Sequence, residues 1–301
     1  MRPLGTRARR GTTLVELLVA LTMLAVLVAA TADVVARQWR TQGALDARRA
    51  ARAQLAAAAD ALRPALRMAA GDGGAVDSSD FLFVSDTLLE LRTALGASVV
   101  CAVAGPTTVE LPPLSSASPS LTWWRAAPQP GDVALVFSDD SLGGAWRTLP
   151  VAALGTSAAG CAGSSLVSAS DPQPRHRLTL AAALPAGVVP GTPIRFARRV
   201  RWLHYRASDG RWYLGEREWD GTAWTGTQPV AGPLRPPGAR GGLAMRALDS
   251  TGSALNGAAA ATARVVRVDV VVRADVTPLA GARAASAVDS VAFVVAPRNG
   301  G

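Results

Sequence analysis

The sequence predicts an α+β protein in which one long N-terminal helix, transmembrane in its first half and amphipathic in its second, packs on a mostly antiparallel β body. Three observations carry this reading. The run from Thr12 to Ala32 holds 21 residues and a single charge, Glu16. Apolar residues then recur at mostly three- and four-residue steps as far as Leu66. From Asp80 onward the signal changes to short apolar and β-branched runs separated by Gly, Pro and Asp-Gly turns.

The first element is set by length and charge. At ~1.5 Å per residue the Thr12–Ala32 run makes a helix of roughly 31 Å, the thickness of a bilayer's hydrocarbon core. Arg2, Arg7, Arg9 and Arg10 all lie on its N-terminal side, which keeps that end cytoplasmic and sends the rest of the chain across the membrane. A lone carboxylate in a bilayer costs on the order of 3 kcal/mol, so Glu16 needs a partner. An ordinary signal peptide would explain the basic start and the small residues Ala30-Thr31-Ala32. A plain anchor would explain the length. Neither accounts for Gly11 or Glu16.

The second half of the helix runs from Asp33 to about Arg67, with Val35, Trp39, Gln42, Leu45, Arg52, Leu55, Ala59, Leu62 and Leu66 recurring along the stripe expected to face the body and Arg37, Arg40, Asp46, Arg48, Arg49 and Asp60 opposite. Pro64 should end it within a turn, and Gly71-Asp72-Gly73-Gly74 is a firm stop. The strands expected after it begin with Phe81–Val84, Thr87–Leu91, Ala97–Val103 and Thr107–Leu111. Pro112 to Pro130, with Trp123-Trp124, reads as a loop. Asp132–Phe137 and Trp146–Leu149 follow as strands around a turn at Gly143-Gly144. Gly155–Ser170 reads as a loop around Cys161, and Arg177–Ala182 as a strand. Ile194–Ala207 and Arg211–Trp219 form a hairpin through Asp209-Gly210, with a second turn at Asp220-Gly221. Val230–Leu234, Leu243–Leu248, Ala263–Val276 and Val288–Val295 complete the body.

Composition bounds the function. The 301 residues contain no lysine, so all 31 basic residues are arginine, and the net charge is +9. Less the four leader arginines this is +5. The arginines are scattered among carboxylates and form no continuous stripe, so nothing here supports a nucleic-acid partner. Cys101 and Cys161, in an exported body, favour a disulfide. His176 is expected in an exposed loop and His204 as a packed strand residue; with two distant cysteines they make no zinc site. No phosphate-binding glycine loop and no nucleophile elbow is present. Asp77-Ser78-Ser79-Asp80 and Ser138-Asp139-Asp140-Ser141 offer oxygen ligands that calcium could take, yet neither matches a defined calcium loop, and both read as turns. No catalytic residue, cofactor or metal ligand is therefore assigned. The tryptophans Trp202, Trp212 and Trp219 read as cross-strand packing, with an exposed aromatic contact surface as the alternative.

Arg10-Gly11 followed by Thr12-Thr13-Leu14-Val15-Glu16-Leu17-Leu18 resembles the leader of type IV pilins and type II secretion pseudopilins. The resemblance implies cleavage by a prepilin peptidase after Gly11 and N-methylation of the new first residue, Thr12. Most family members begin the mature chain with phenylalanine or methionine; this one begins with threonine. The resemblance places Glu16 at the fifth mature position, where it would neutralise the α-amine of a neighbouring subunit and set axial register in a filament. The implied organisation is residues 1–11 as a cleaved leader, 12–32 as the transmembrane half of the helix, 33–70 as its amphipathic half and 71–301 as a periplasmic β-rich domain.

The body is similar, more loosely, to the PilW-type minor pilins. It shares Leu66-Arg67-Met68-Ala69 before a glycine-rich turn, the hairpin from Val200 to Arg217, and Gly242-Leu243-Ala244-Met245 leading through Asp249…Gly252 to the valine-rich strand. The minor pseudopilin J of type II secretion shares the last two. What this implies is a minor pilin that primes or caps a type IV pilus. Its partners would be the prepilin peptidase, other minor pilins, the major pilin and the inner membrane. It would be held in the inner membrane with its body in the periplasm and then carried into the pilus. A pseudopilus-tip subunit is the first alternative, and an exported adhesin or enzyme on a plain signal peptide the second.

Overall fold

The computed structural model describes residues 13–69, 80–114, 120–140, 143–157, 160–168, 171–258, 265–276 and 287–296. Within these the protein is one long helix and fifteen strands, and the strand pairings are antiparallel in every register described. The glycine-rich stop at 71–74 and Asp77–Ser79 lie outside the described residues, as do Gly11 and Thr12.

Helix α1, Leu14–Met68, is continuous for 55 residues, about 83 Å at ~1.5 Å per residue. It ends four residues after Pro64, within the turn that proline allows. Two compact units share it: the residues up to Ala50 belong to one, and Ala51–Met68 to the other, with the body. In the second part Leu55, Ala58, Ala59, Leu62, Ala65 and Leu66 are buried at helical spacing. Its polar residues reach strands of both sheets. Gln54 accepts a hydrogen bond from the Gly232 N–H in β11, Gln228–Leu234, at 3.0 Å. Arg52 pairs with Asp289 of β15, Ala287–Val295, at 3.0 Å, and Arg63 lies over the Phe293 ring.

The larger sheet runs β1 (Phe81–Val84), β2 (Leu88–Val99), β9 (Pro193–Arg206), β6 (Val133–Asp140), β7 (Gly143–Ser157), β8 (Arg175–Leu180), β4 (Thr108–Leu111) and β3 (Ala102–Gly105), with β10 (Trp212–Glu218) and then β11 branching from β9 and β5 (Trp123–Trp124) added to β2. Its spine is β9, Pro193–Arg206, paired with β2, Leu88–Val99, along nearly its whole length. The other edge of β9 is shared. Its first residues, Ile194–Ala197, pair with β6, Val133–Asp140; from Val200 it pairs with β10, Trp212–Glu218. The sheet therefore forks near Arg198, and that fork is stitched by charge. Arg198 donates to Asp132, just before β6, at 2.8 and 2.9 Å, and to Glu218, at the end of β10, at 2.9 Å. Beside it Gly131 and Gly221 are in backbone contact; a Cβ on Gly131 would come within 1.9 Å of the Gly221 Cα, and both have positive φ.

A second core fills the β6 side of the fork, built from Leu95, Val109, Leu111, Val136, Leu178, Ile194 and Phe196. The smaller sheet is ordered β13 (Ala254–Leu255), β12 (Leu243–Leu248), β14 (Arg267–Val276), β15. There β14, Arg267–Val276, buries Val268, Val270, Val272 and Ala274 on one face, and β12, Leu243–Leu248, pairs with it from Leu243↔Val272 to Leu248↔Arg267.

Several expected elements differ, each for a physical reason. The strand expected at 87–91 and the start of the one expected at 97–103 are one strand, β2, because Leu95-Gly96 forms a bulge rather than a break; the expected strand then stops at Val100-Cys101, and Ala102-Val103 open β3, Ala102–Gly105. Gly96 allows close approach: a Cβ there would stand 2.2 Å from the Trp123 carbonyl oxygen. Trp123-Trp124, expected in a loop, thus forms the two-residue strand β5 against Gly96 and Ala97. Gly143-Gly144 is not a turn but opens β7, Gly143–Ser157, where Gly144 leaves room for the Phe137 ring of its partner strand. The same strand takes in Gly155–Ser157 from the expected loop. Ser138–Asp140, read as part of a turn, ends β6. His176, expected in an exposed loop, sits in β8, Arg175–Leu180, half-buried, its ring 4.8 Å from that of Trp124.

Candidate assembly site

The N-terminal part of α1 is built to be apolar outside and self-satisfied inside. Thr13 is its N-cap: the Glu16 N–H donates to the Thr13 Oγ1 at 3.4 Å and the Leu17 N–H to the Thr13 carbonyl at 3.2 Å. Glu16 therefore occupies the third helical position, the place of the acidic residue in a capping box. Thr13-Leu14-Val15-Glu16 carries that signature in the sequence, and the sequence reading missed it. The hydroxyls of Thr22 and Thr31 are answered within the helix. Thr22 donates to the Val19 carbonyl at 2.9 Å, and Thr31 to those of Leu27 and Val28 at 2.9 and 3.0 Å. Between Thr13 and Ala32 the one charged side chain is that of Glu16. Leu14, Leu17, Leu18, Leu21, Leu24 and Val28 around and beyond it are all exposed. The helix is long and apolar enough to cross a membrane, and none of its most apolar 18-residue window is buried within the protein.

The prokaryotic N-terminal methylation motif matches residues 6–32, less than a tenth of the chain. The chain is type IV pilin-like. The motif spans Gly11, Thr12 and Glu16, and it carries with it processing by a prepilin peptidase and assembly with other pilin-like subunits in general terms. An apolar helix at this position agrees with membrane anchoring before assembly. Neither the curated proteins nor the solved structures include a match to the chain.

The body's polar clusters look structural. Glu90 lies between Arg199 and Arg201, each of which donates to it through two nitrogens. Burial raises its carboxyl, but the two guanidiniums more than offset this and hold it below the usual carboxylate range. Arg201 in turn lies 4.1 Å over the Trp224 ring, and Trp224 meets Trp219 edge-on at 5.4 Å. The tryptophans of this hairpin pack: Trp202 is buried, and Trp212 stacks on the buried His204 at 5.0 Å. Burial pushes the His204 imidazole below its ordinary value.

Cys101 and Cys161 are bridged, with their Cα atoms 5.2 Å apart. Glu110 locks the far side of this staple. It accepts from the Cys161 N–H at 2.7 Å and from Arg177 at 2.9 Å, and against the effect of burial these bonds hold its carboxyl low. Asp80, the last residue of one of the two acidic stretches, is buried, and burial pushes its carboxyl up to about 6, against the pull of Arg92. Among the described residues no group of three or more His, Cys, Asp or Glu side chains could hold a metal ion.

Proposed function

We propose that this chain is a minor pilin that helps to prime or cap a type IV pilus. The observation that carries it is the combination within α1. A methylation motif lies over the exposed apolar first part of the helix, where Glu16 is the one charged residue between Thr13 and Ala32, and the same helix, 55 residues long, is embedded by its last third in a large β body. Cleavage after Gly11 frees an amine at Thr12, and a neighbour's Glu16 neutralises it at matching depth, turning two costly charges into one charge-assisted pair. A body of this size would crowd a continuous shaft, which favours the end of a fibre over its repeat. The Val200–Arg217 hairpin and the valine-rich β14 support the PilW-type reading within this class.

Mass spectrometry of the mature N-terminus, joined to pulldown of sheared pili, tests this. The expected species begins at methylated Thr12 and copurifies with pili in small amount. A mature chain beginning at Asp33, or one absent from pili but present with a secretion apparatus, would defeat the proposal.

A further inference from the structure

The apolar surface of α1 does not stop where the spanning run stops. Leu21, Leu24, Val28, Val35 and Trp39 succeed one another at three-, four- and seven-residue steps, so they lie on one stripe of the helix. All five are exposed, and Trp39 most of all, at 72 %. The positions three, four and seven residues on, Gln42, Gly43 and Asp46, carry no large apolar side chain, so this exposed stripe ends at Trp39; farther along the helix, the Leu55, Leu62 and Leu66 side chains are buried by the body. Asp33 would ordinarily mark an earlier boundary. It is matched one turn on by Arg37 at 2.8 Å, a pair that neutralises itself and leaves Val34, Val35 and Ala36 available to apolar surroundings.

We infer that Val34–Arg40 is an interfacial anchor whose partner is the phospholipid headgroup layer on the non-cytoplasmic side of the membrane. The inference rests on the membrane-anchored reading above and adds to it a depth. From Leu14 to Ala36 the helix rises about 33 Å, close to a bilayer's hydrocarbon thickness, and Trp39 follows about 4.5 Å later. Side chains on a helix lean toward its N-terminus, so the Trp39 ring reaches back to the hydrocarbon boundary while its indole N–H meets ester and phosphate oxygens. Arg40, beside it, supplies the positive charge that lipid phosphate attracts. The depth has a consequence at the other end: with Trp39 held at one boundary, Glu16 lies about 35 Å away along the axis, just inside the opposite boundary, at the level where a neighbour's amine would meet it.

Trp39 can be read separately from the seven other tryptophans, because those lie in the body. The full chain is reconstituted in vesicles of phosphatidylethanolamine and phosphatidylglycerol, with bromines placed on the acyl chains either near the headgroup or near the chain end. Trp39 emission is taken as the difference between wild type and Trp39→Phe. The expected result is a blue-shifted difference spectrum, quenched strongly by bromines near the headgroup and weakly by those near the chain end. Protein that floats with the vesicles but shows no quenching of this difference would overturn the interfacial anchor alone. Stronger quenching near the chain end would do the same. Failure to float would overturn the membrane-anchored reading together with it.

Discussion

The fork at Arg198 offers a sharp test of what holds the body together. One guanidinium serves two carboxylates at nearly equal distance, 2.8 Å to Asp132 and 2.9 Å to Glu218. They differ in burial: the Asp132 side chain is fully enclosed, while that of Glu218 is 40 % exposed. Asp132 also receives the Gln129 N–H at 2.8 Å. Removing Asp132 leaves a nearly buried guanidinium with a single exposed partner, a change that costs about 3–5 kcal/mol. For a domain of this size that is roughly 6–20 °C in Tm. Removing Glu218 breaks a bond of the same length that water can replace, and should cost under about 1 kcal/mol. The comparison is made by thermal unfolding of Asp132→Ala, Glu218→Ala and Arg198→Met in the full chain in detergent, followed by near-ultraviolet circular dichroism. The Asp132→Ala/Arg198→Met double variant should recover part of the loss, because no unpaired charge remains. If Glu218→Ala costs as much as Asp132→Ala, burial is not what sets the energy and the reasoning fails.

Three further outcomes follow from other parts of the body. Reducing the Cys101–Cys161 bridge, which closes a separation of 60 residues, should destabilise by roughly 4 kcal/mol on the chain-entropy account; a melting temperature indifferent to reductant would contradict it. Asp80 has its folded carboxyl raised from 3.8 to about 6, so its contribution favours folding below the unfolded value and is lost as pH rises through 6. At neutral pH that loss is about 3 kcal/mol, so Asp80→Asn should be at least as stable as wild type at pH 7 and lose that advantage near pH 4; equal pH profiles for the two would refute the burial argument. Gly131→Ala places a Cβ 1.9 Å from the Gly221 Cα at a φ of +89°, and should cost about 3 kcal/mol or more in urea unfolding, whereas Gly155→Ala, with nothing within 4 Å, should be near neutral.

The sequence showed the helix and most strands because their signals are local. An apolar run has a length, a stripe has a period, and Asp209-Gly210 and Asp220-Gly221 name their turns. What it concealed depends on residues far apart. Gly96 looks like an interruption until Trp123 lies across it, and Gly144 looks like a turn until Phe137 occupies the space beside it. His176 sits between two arginines and reads as exposed; only the return of Trp124 onto β8 encloses it. The fork itself was invisible, because no periodicity reports that one strand changes partners halfway. At the N-terminus the position was reversed: a methylation motif was legible over residues 6–32, but the role of Glu16 was read as wholly intermolecular, because its position was counted from Gly11 and not from the helix cap.

That second count leaves Glu16 with two separable duties. As the third residue of a helix capped by Thr13 it is placed to answer the cap's own N–H and to complement the helix dipole, both within one chain. As the only charge between Thr13 and Ala32 it is also the group that, on the proposed assembly reading, meets a neighbour's amine. Glu16→Gln separates the two, since the amide oxygen can still accept from the cap but carries no charge. If pairing with the amine drives assembly, Glu16→Gln should be inserted and cleaved normally yet be absent from pili, as Glu16→Ala is expected to be. If capping is the duty that matters, Glu16→Gln should enter pili at wild-type level and Glu16→Ala should not. Immunoblots of sheared pili and of membranes, normalised to processed protein, distinguish the two. Entry of both variants would remove Glu16 from the assembly mechanism altogether.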